Sequence, residues 1–205
     1  LSVLRGAAKP GNGWYFADNH DHAAGRFQDC RTASPDQRRQ FPQFLADLPL
    51  ALSRDDLRVV HAAWHPASLM ALAADAGSQP LTDIYREYGR RSEQWAQESA
   101  LKHAAGNEYR LWHAQLDDEH ASVPLLQAIG RMDEHFQMSN PVRVLTSGVE
   151  QLASRTFYAS GKWRMVERVA WWGDYQEPTP VIFGHYWRWS NHEVPSSHSR
   201  GEPDL

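Results

Sequence analysis

The chain of 205 residues has one cysteine, Cys30, so it cannot form an internal disulfide. A single thiol also excludes a metal site built from several thiolates. It permits a reducing compartment, and we expect a cytoplasmic protein. No window approaches the ~18 consecutive apolar residues that span a bilayer, and the first residues lack the basic-then-apolar pattern of a signal peptide. The sequence therefore predicts a soluble protein with no membrane partner.

Basic residues are not in excess, because 21 Lys and Arg stand against 25 Asp and Glu. This balance argues against nonspecific nucleic-acid binding, which depends on neutralising phosphates. The chain also lacks a Walker loop, a dinucleotide fingerprint and a G-x-S-x-G nucleophile elbow. We therefore expect a small-molecule or protein substrate and no nucleic-acid partner.

Histidine and tryptophan are plentiful, with eleven and nine copies. The tryptophans are interpreted as core or groove residues, the alternative being stacking on a sugar or a nucleotide. The length suffices for one domain with a sizeable core, and we expect a single domain over residues 1–205.

Helical and strand patterns follow one another in blocks along the chain. A short polar turn between two apolar runs predicts a β-hairpin, and Ser-Pro and His-Pro pairs predict helix starts. The predicted elements, in chain order, are a helix from Pro35, a hairpin over 48–61, a helix from Pro66, a long helix over 82–105 ended by Gly106, further helices to 138, and strands over 142–145, 163–172 and 180–183. This order indicates an α/β or α+β layered domain.

Two of the predicted strands lead into a histidine. Val59 and Val60 precede His61, and a later apolar run stops at Gly184, just before His185. Strand ends deliver side chains to the rim of a sheet, so the two histidines converge if their strands share one sheet. Neutral imidazole binds zinc, manganese, iron or nickel. The alternative is that each is a hydrogen-bonded structural histidine.

Other polar clusters are weaker candidates. Residues 18–22, Asp-Asn-His-Asp-His, offer metal ligands but are also typical of a solvated loop. The acidic run over 117–120 is interpreted as a solvated connector. Arg164 and Arg168 share one face of a predicted strand and could contact phosphate or lie on a solvated face. His65, directly before Pro66, is expected to cap a helix or face solvent.

The strand ending in His61-Ala62, with Pro66 after it, and the later Phe183-Gly184-His185-Tyr186-Trp187 resemble the last two metal-binding motifs of the calcineurin-like metallophosphoesterases. The relatives of that family include the protein serine/threonine phosphatases, and the likeness covers about residues 35 to 189.

The resemblance implies part of a layered α/β/β/α sandwich, with an all-helical insertion over about 66–138 between the two histidine-bearing strands. It also implies a dinuclear centre of Mn, Fe, Zn or Ni, in which His61 and His185 bind the same ion. Water activated by the metal would then hydrolyse a phosphorylated small molecule or a phosphoprotein.

The first three motifs of that family, D-x-H, G-D-x-x-D-R-G and G-N-H-E, do not occur in the chain. Leu1–Gly6 resembles the helix that follows G-N-H-E, so we expect the C-terminal portion of such a domain, without most acidic ligands and without activity by itself. Asn19-His20-Asp21 imitates G-N-H-D. Two other interpretations stay open: a non-catalytic binding module of the same fold, and a tryptophan-rich sugar- or nucleotide-binding protein.

Overall fold

A computed structural model describes residues 2–8, 12–16, 31–75 and 79–186. Helices and strands are mixed, as the predicted α/β class requires. The described helices are α1 Gly13–Phe16, α2 Pro35–Asp47, α3 Pro66–Asp75, α4 Leu81–Glu98, α5 Leu101–Trp112, α6 Gln127–Met138 and α7 Pro141–Ser147. The described strands are β1 Ala51–Ser53, β2 Arg58–Val60, β3 Glu150–Ala159, β4 Lys162–Arg168 and β5 Val181–Phe183. None of these helices is long and apolar enough to cross a membrane.

The described residues cluster into two compact units, one within 1–49 and 77–84, the other within 50–76 and 85–205. A single domain over residues 1–205 stays a prediction.

The smaller unit contains helix α2, which begins where the sequence predicts. Ser34 and Gln37 form a reciprocal capping box, in which each side chain accepts the other residue's backbone N–H. Pro35 occupies the first turn, where its missing N–H has no cost. Pro42 does not end the helix, which continues to Asp47.

The larger unit contains a three-stranded sheet in the order β1-β2-β5. Strands β1 and β2 form the predicted antiparallel hairpin, and β5 adds to β2 in parallel, with Val60 beside Phe183. One face of this sheet packs on a core that includes Val60, Trp64, Leu145 and Trp171. The described strands thus form this sheet and a separate two-stranded sheet, and the α/β/β/α sandwich stays a prediction.

Helices occupy the segment after β2, as predicted, but two boundaries differ. The helix predicted over 82–105 is two helices separated at Ser99 and Ala100, and Gly106 lies inside the second one. The strand predicted over 142–145 is wrong, because those residues belong to helix α7, so the helices extend beyond 138. The side chain of Asn140 caps α7 by accepting the N–H groups of Val142 and Arg143, and Pro141 is the first helical residue.

A hairpin of β3 and β4 follows the helices. Its turn, Ser160-Gly161, has positive φ at both residues, 53° and 79°, as two-residue hairpin turns prefer. Strand β4 ends at Arg168, earlier than the predicted 172, and a 3₁₀ turn over Trp171–Asp174 follows. Helix α6 packs closely on the hairpin at Gly130, where an added Cβ would lie 3.0 Å from the carbonyl oxygen of Met165.

Candidate metal-binding site

His61 and His185 lie side by side at one edge of the three-stranded sheet. His61 directly follows β2, and His185 follows β5 after Gly184. The two strands are parallel neighbours, so the segments that follow them leave the sheet at the same edge, where the carboxyl ends of the strands lie. The imidazole centroids are 5.3 Å apart with 42° between the ring planes, and both residues are exposed. The structure therefore brings together the two histidines that the sequence singles out.

The separation of these rings fits two ligands of one metal ion. Two imidazoles bound through nitrogens at roughly 2.1 Å from an ion, at a tetrahedral angle, place their centroids about 5 Å apart. Among the described residues, no group of three or more His, Cys, Asp or Glu could hold a metal. The pair thus supplies two positions of a coordination sphere that needs further ligands.

The backbone at His185 has an unusual conformation. Its φ is +66°, and the N–H of Tyr186 donates to the carbonyl oxygen of Gly184 at 2.8 Å. A bond that spans three residues with a positive φ at the central one is a classic γ-turn, which is strained for residues other than glycine. The turn directs the His185 ring towards His61, and such strain is common at functional sites.

Arg168, the last residue of β4, holds His185 through two hydrogen bonds. One guanidinium nitrogen donates to the His185 carbonyl oxygen at 3.0 Å, and the other lies 3.1 Å from Nε2. The guanidinium also lies over the Tyr186 ring, 5.6 Å from its centroid. Because a guanidinium only donates, Nε2 accepts through its lone pair, and the proton of the neutral ring is on Nδ1. Arg164 is placed differently, donating to the carbonyl oxygen of Ala159.

A carboxylate lies across the ladder from this arginine. Glu150 pairs with Arg168 in the β3–β4 register and is half-buried. Burial raises the pKa of the Glu150 carboxyl, and the nearby charge of Arg168 opposes that rise. The surroundings of His185 thus contain a fixed cation with an acidic group beside it.

Tyr186 anchors the segment that carries His185. Its hydroxyl oxygen accepts the N–H of Val149 at 2.8 Å, and burial raises the pKa of the phenol. The ring fits because residue 148 is glycine: an added Cβ there would lie 2.3 Å from the Tyr186 hydroxyl oxygen. The sequence reasoning missed this anchor, although Tyr186 stands next to the singled-out histidine.

The segment after His61 is held in the same way. The N–H of Ala62 donates to the carbonyl oxygen of Leu145 at 2.9 Å, and the indole N–H of Trp171 donates to the carbonyl oxygen of Ala62 at 3.2 Å. Trp171 is buried, and its ring packs edge-on against Phe183 of β5. Both strand ends are therefore fixed by aromatic residues, the buried Trp171 and the half-buried Tyr186, as a preformed site requires.

The other candidates lie elsewhere. His65 caps helix α3, since its Nδ1 accepts the N–H of Ser68 at 3.2 Å. The acidic run over 117–120 is exposed, as expected of a solvated connector. Residues 18–22, including Asn19-His20-Asp21, are outside the described residues.

Comparisons with protein-family models, with curated proteins and with solved structures found no match to this chain.

Proposed function

We propose that this chain is part of a metal-dependent phosphoesterase and that His61 and His185 bind the same divalent ion, Mn, Fe, Zn or Ni, in a dinuclear centre. The observation that carries the proposal is the 5.3 Å separation of the two rings at the ends of adjacent parallel strands. The substrate class is a phosphate ester, on a small molecule or on a phosphoprotein.

The residues of this edge have distinct roles in the proposal. An ion held by His61 and His185 would supply the positive charge that polarises a phosphoryl group and activates a water for attack on phosphorus. His61 and His185 hold the ion as neutral nitrogen ligands on rigid strand ends. Arg168 provides a positive charge at the same edge that can attract the phosphoryl oxygens. Both histidines are exposed, so an ester on a large partner can reach them.

The two alternative interpretations make different demands on this edge. A non-catalytic binding module of the same fold would keep the histidine pair and bind an ion without hydrolysis. A tryptophan-rich sugar- or nucleotide-binding protein requires no convergence of the two histidines, and their close approach does not favour it.

Calorimetric titration of the chain with Mn²⁺ tests the proposal. We expect His61→Ala and His185→Gly each to weaken binding about tenfold or more, because each removes a ligand. Glycine is chosen at 185 because it tolerates the positive φ. His113→Ala, at an exposed position elsewhere, is the matched control and should leave binding unchanged.

Absence of Mn²⁺ binding, or binding that survives loss of both histidines, would contradict the proposal. In a longer chain that restores the D-x-H, G-D-x-x-D-R-G and G-N-H-E motifs, hydrolysis of an aryl phosphate in the presence of Mn²⁺, lost in His61→Ala, would support the enzyme. Binding without hydrolysis in that longer chain would favour the non-catalytic module.

A further inference from the structure

We propose that the Arg168 guanidinium, by donating a hydrogen bond to Nε2 of His185, blocks metal ligation by this ring. A divalent ion then binds His185 only by displacing the guanidinium. The inference rests on the proposed function, since it concerns how the same histidine pair takes up its ion. It assigns to Arg168 a positioning role for the His185 ring.

A metal ion and the Arg168 guanidinium compete for the same lone pair of the His185 imidazole. A neutral imidazole has one unprotonated nitrogen, and in His185 that nitrogen, Nε2, lies 3.1 Å from a guanidinium nitrogen of Arg168. A metal ion uses the same lone pair, so it cannot bind Nε2 while Arg168 donates there. If the ion used Nδ1, the proton would move to Nε2, which could no longer accept from Arg168. Ligation through either nitrogen therefore breaks this hydrogen bond.

Charge adds to the competition. A guanidinium in hydrogen-bond contact with a ligand places a positive charge beside the position that a cation would take, and the two repel each other. Until an ion arrives, the same contact holds the ring against rotation, next to His61.

Once it is displaced from Nε2, the Arg168 guanidinium still has other groups to interact with. Its second hydrogen bond goes to the His185 carbonyl oxygen at 3.0 Å, its guanidinium lies over the Tyr186 ring, and Glu150 is its partner across the ladder. Because the side chain is exposed, rotation away from Nε2 disturbs no core packing. The displaced guanidinium can then attract an anionic ligand at the same edge.

Arg168→Met tests the competition, because methionine keeps an unbranched side chain beside Tyr186 but cannot donate. In Mn²⁺ calorimetry we expect this variant to bind about tenfold more tightly than the wild type, the effect of removing one competing hydrogen bond. Arg164→Met is the matched control: it removes the same charge from the same strand, away from His185, and should bind within about twofold of the wild type. Arg168→Lys keeps a charged donor and should bind more weakly than Arg168→Met.

Nitrogen NMR of the His185 ring provides a readout that is independent of metal. In the wild type without metal, Nε2 should be unprotonated and Nδ1 protonated, and Arg168→Met should show a mixture of both tautomers. Circular dichroism confirms that each variant is folded.

The outcomes separate this inference from the proposed function. If Mn²⁺ binding requires His61 and His185 but is no tighter in Arg168→Met than in Arg164→Met, the competition is overturned and the metal site stands. An unchanged tautomer in Arg168→Met also overturns it. If neither the wild type nor any variant binds Mn²⁺, the inference and the proposed function both fail.

Discussion

The backbone N–H of Gly184 donates to the carbonyl oxygen of His61 at 3.0 Å, one step beyond the paired residues of the parallel strands β2 and β5. This bond continues the ladder to the edge where the two histidines emerge. His185 is thus the first residue after the last ladder bond, and it lies in a γ-turn with its ring beside that of His61. The site thus depends on backbone geometry as much as on the two imidazoles.

The γ-turn predicts an order of stability among variants of His185. Both replacements lose the contact of the ring with Arg168, but glycine relieves the strain at φ +66° whereas alanine keeps it. We expect His185→Gly to be more stable than His185→Ala by about 1 kcal/mol, measured by urea unfolding. Equal stability of the two variants would show that the turn is not strained.

Gly148 should be intolerant of substitution because of Tyr186. Gly148→Ala combines a φ of +104° with a contact of 2.3 Å to the tyrosine hydroxyl oxygen, so we expect a loss of about 2 to 4 kcal/mol in urea unfolding. Gly161→Ala is the control: its φ is also positive, but it has open space around it, and it should lose only about 1 kcal/mol. Similar losses in both variants would argue against the Tyr186 contact.

Two helical glycines should respond to alanine in opposite directions. Gly106 has nothing within 4 Å of an added Cβ, so Gly106→Ala should stabilise the protein by about 0.5 to 1 kcal/mol. At Gly130 the Cβ would lie 2.3 Å from a Leu152 methyl carbon, and Gly130→Ala should destabilise by roughly 1 to 3 kcal/mol despite its better helix propensity. Thermal unfolding distinguishes the two, and stabilisation by Gly130→Ala would refute the close packing of α6 on the hairpin.

His65 should make stability depend on pH. Burial lowers its pKa below 6.5, and its Nδ1 must be unprotonated to accept the Ser68 N–H. In this range the unfolded chain binds more protons than the folded one. The contribution is therefore complete above about pH 6.5, falls as the pH drops below it, and levels off below the folded pKa.

Urea unfolding of His65→Asn between pH 5 and 8 provides the check. Asparagine can cap the helix without titrating, so this variant should lose less stability than the wild type between pH 7 and about pH 5.5. His65→Ala should lose about 1 kcal/mol at pH 7, since it has no cap. Parallel pH profiles for the wild type and His65→Asn would show that His65 does not titrate with folding.

Helix starts were predictable from sequence where a capping residue and a proline stand together. Ser34-Pro35 and His65-Pro66 each mark a helix start in the structure. Asn140-Pro141 carries the same signal, but the valines and leucine that follow suggest a strand. Cap and proline prevail there because they satisfy the first N–H groups of the helix, while β propensity depends on context. Strand β3 was missed altogether.

The sequence by itself determined the local features of this protein: the caps, the hairpin of β1 and β2, and a histidine after each of two short apolar strands. These depend on residues a few positions apart, whose backbone preferences act before any packing. Only the tertiary structure decided that β5 lies beside β2, that Arg168 reaches Nε2 of His185, and that Gly148 makes room for Tyr186. Those contacts join segments far apart in the chain, and burial and backbone pairing across the whole unit select them.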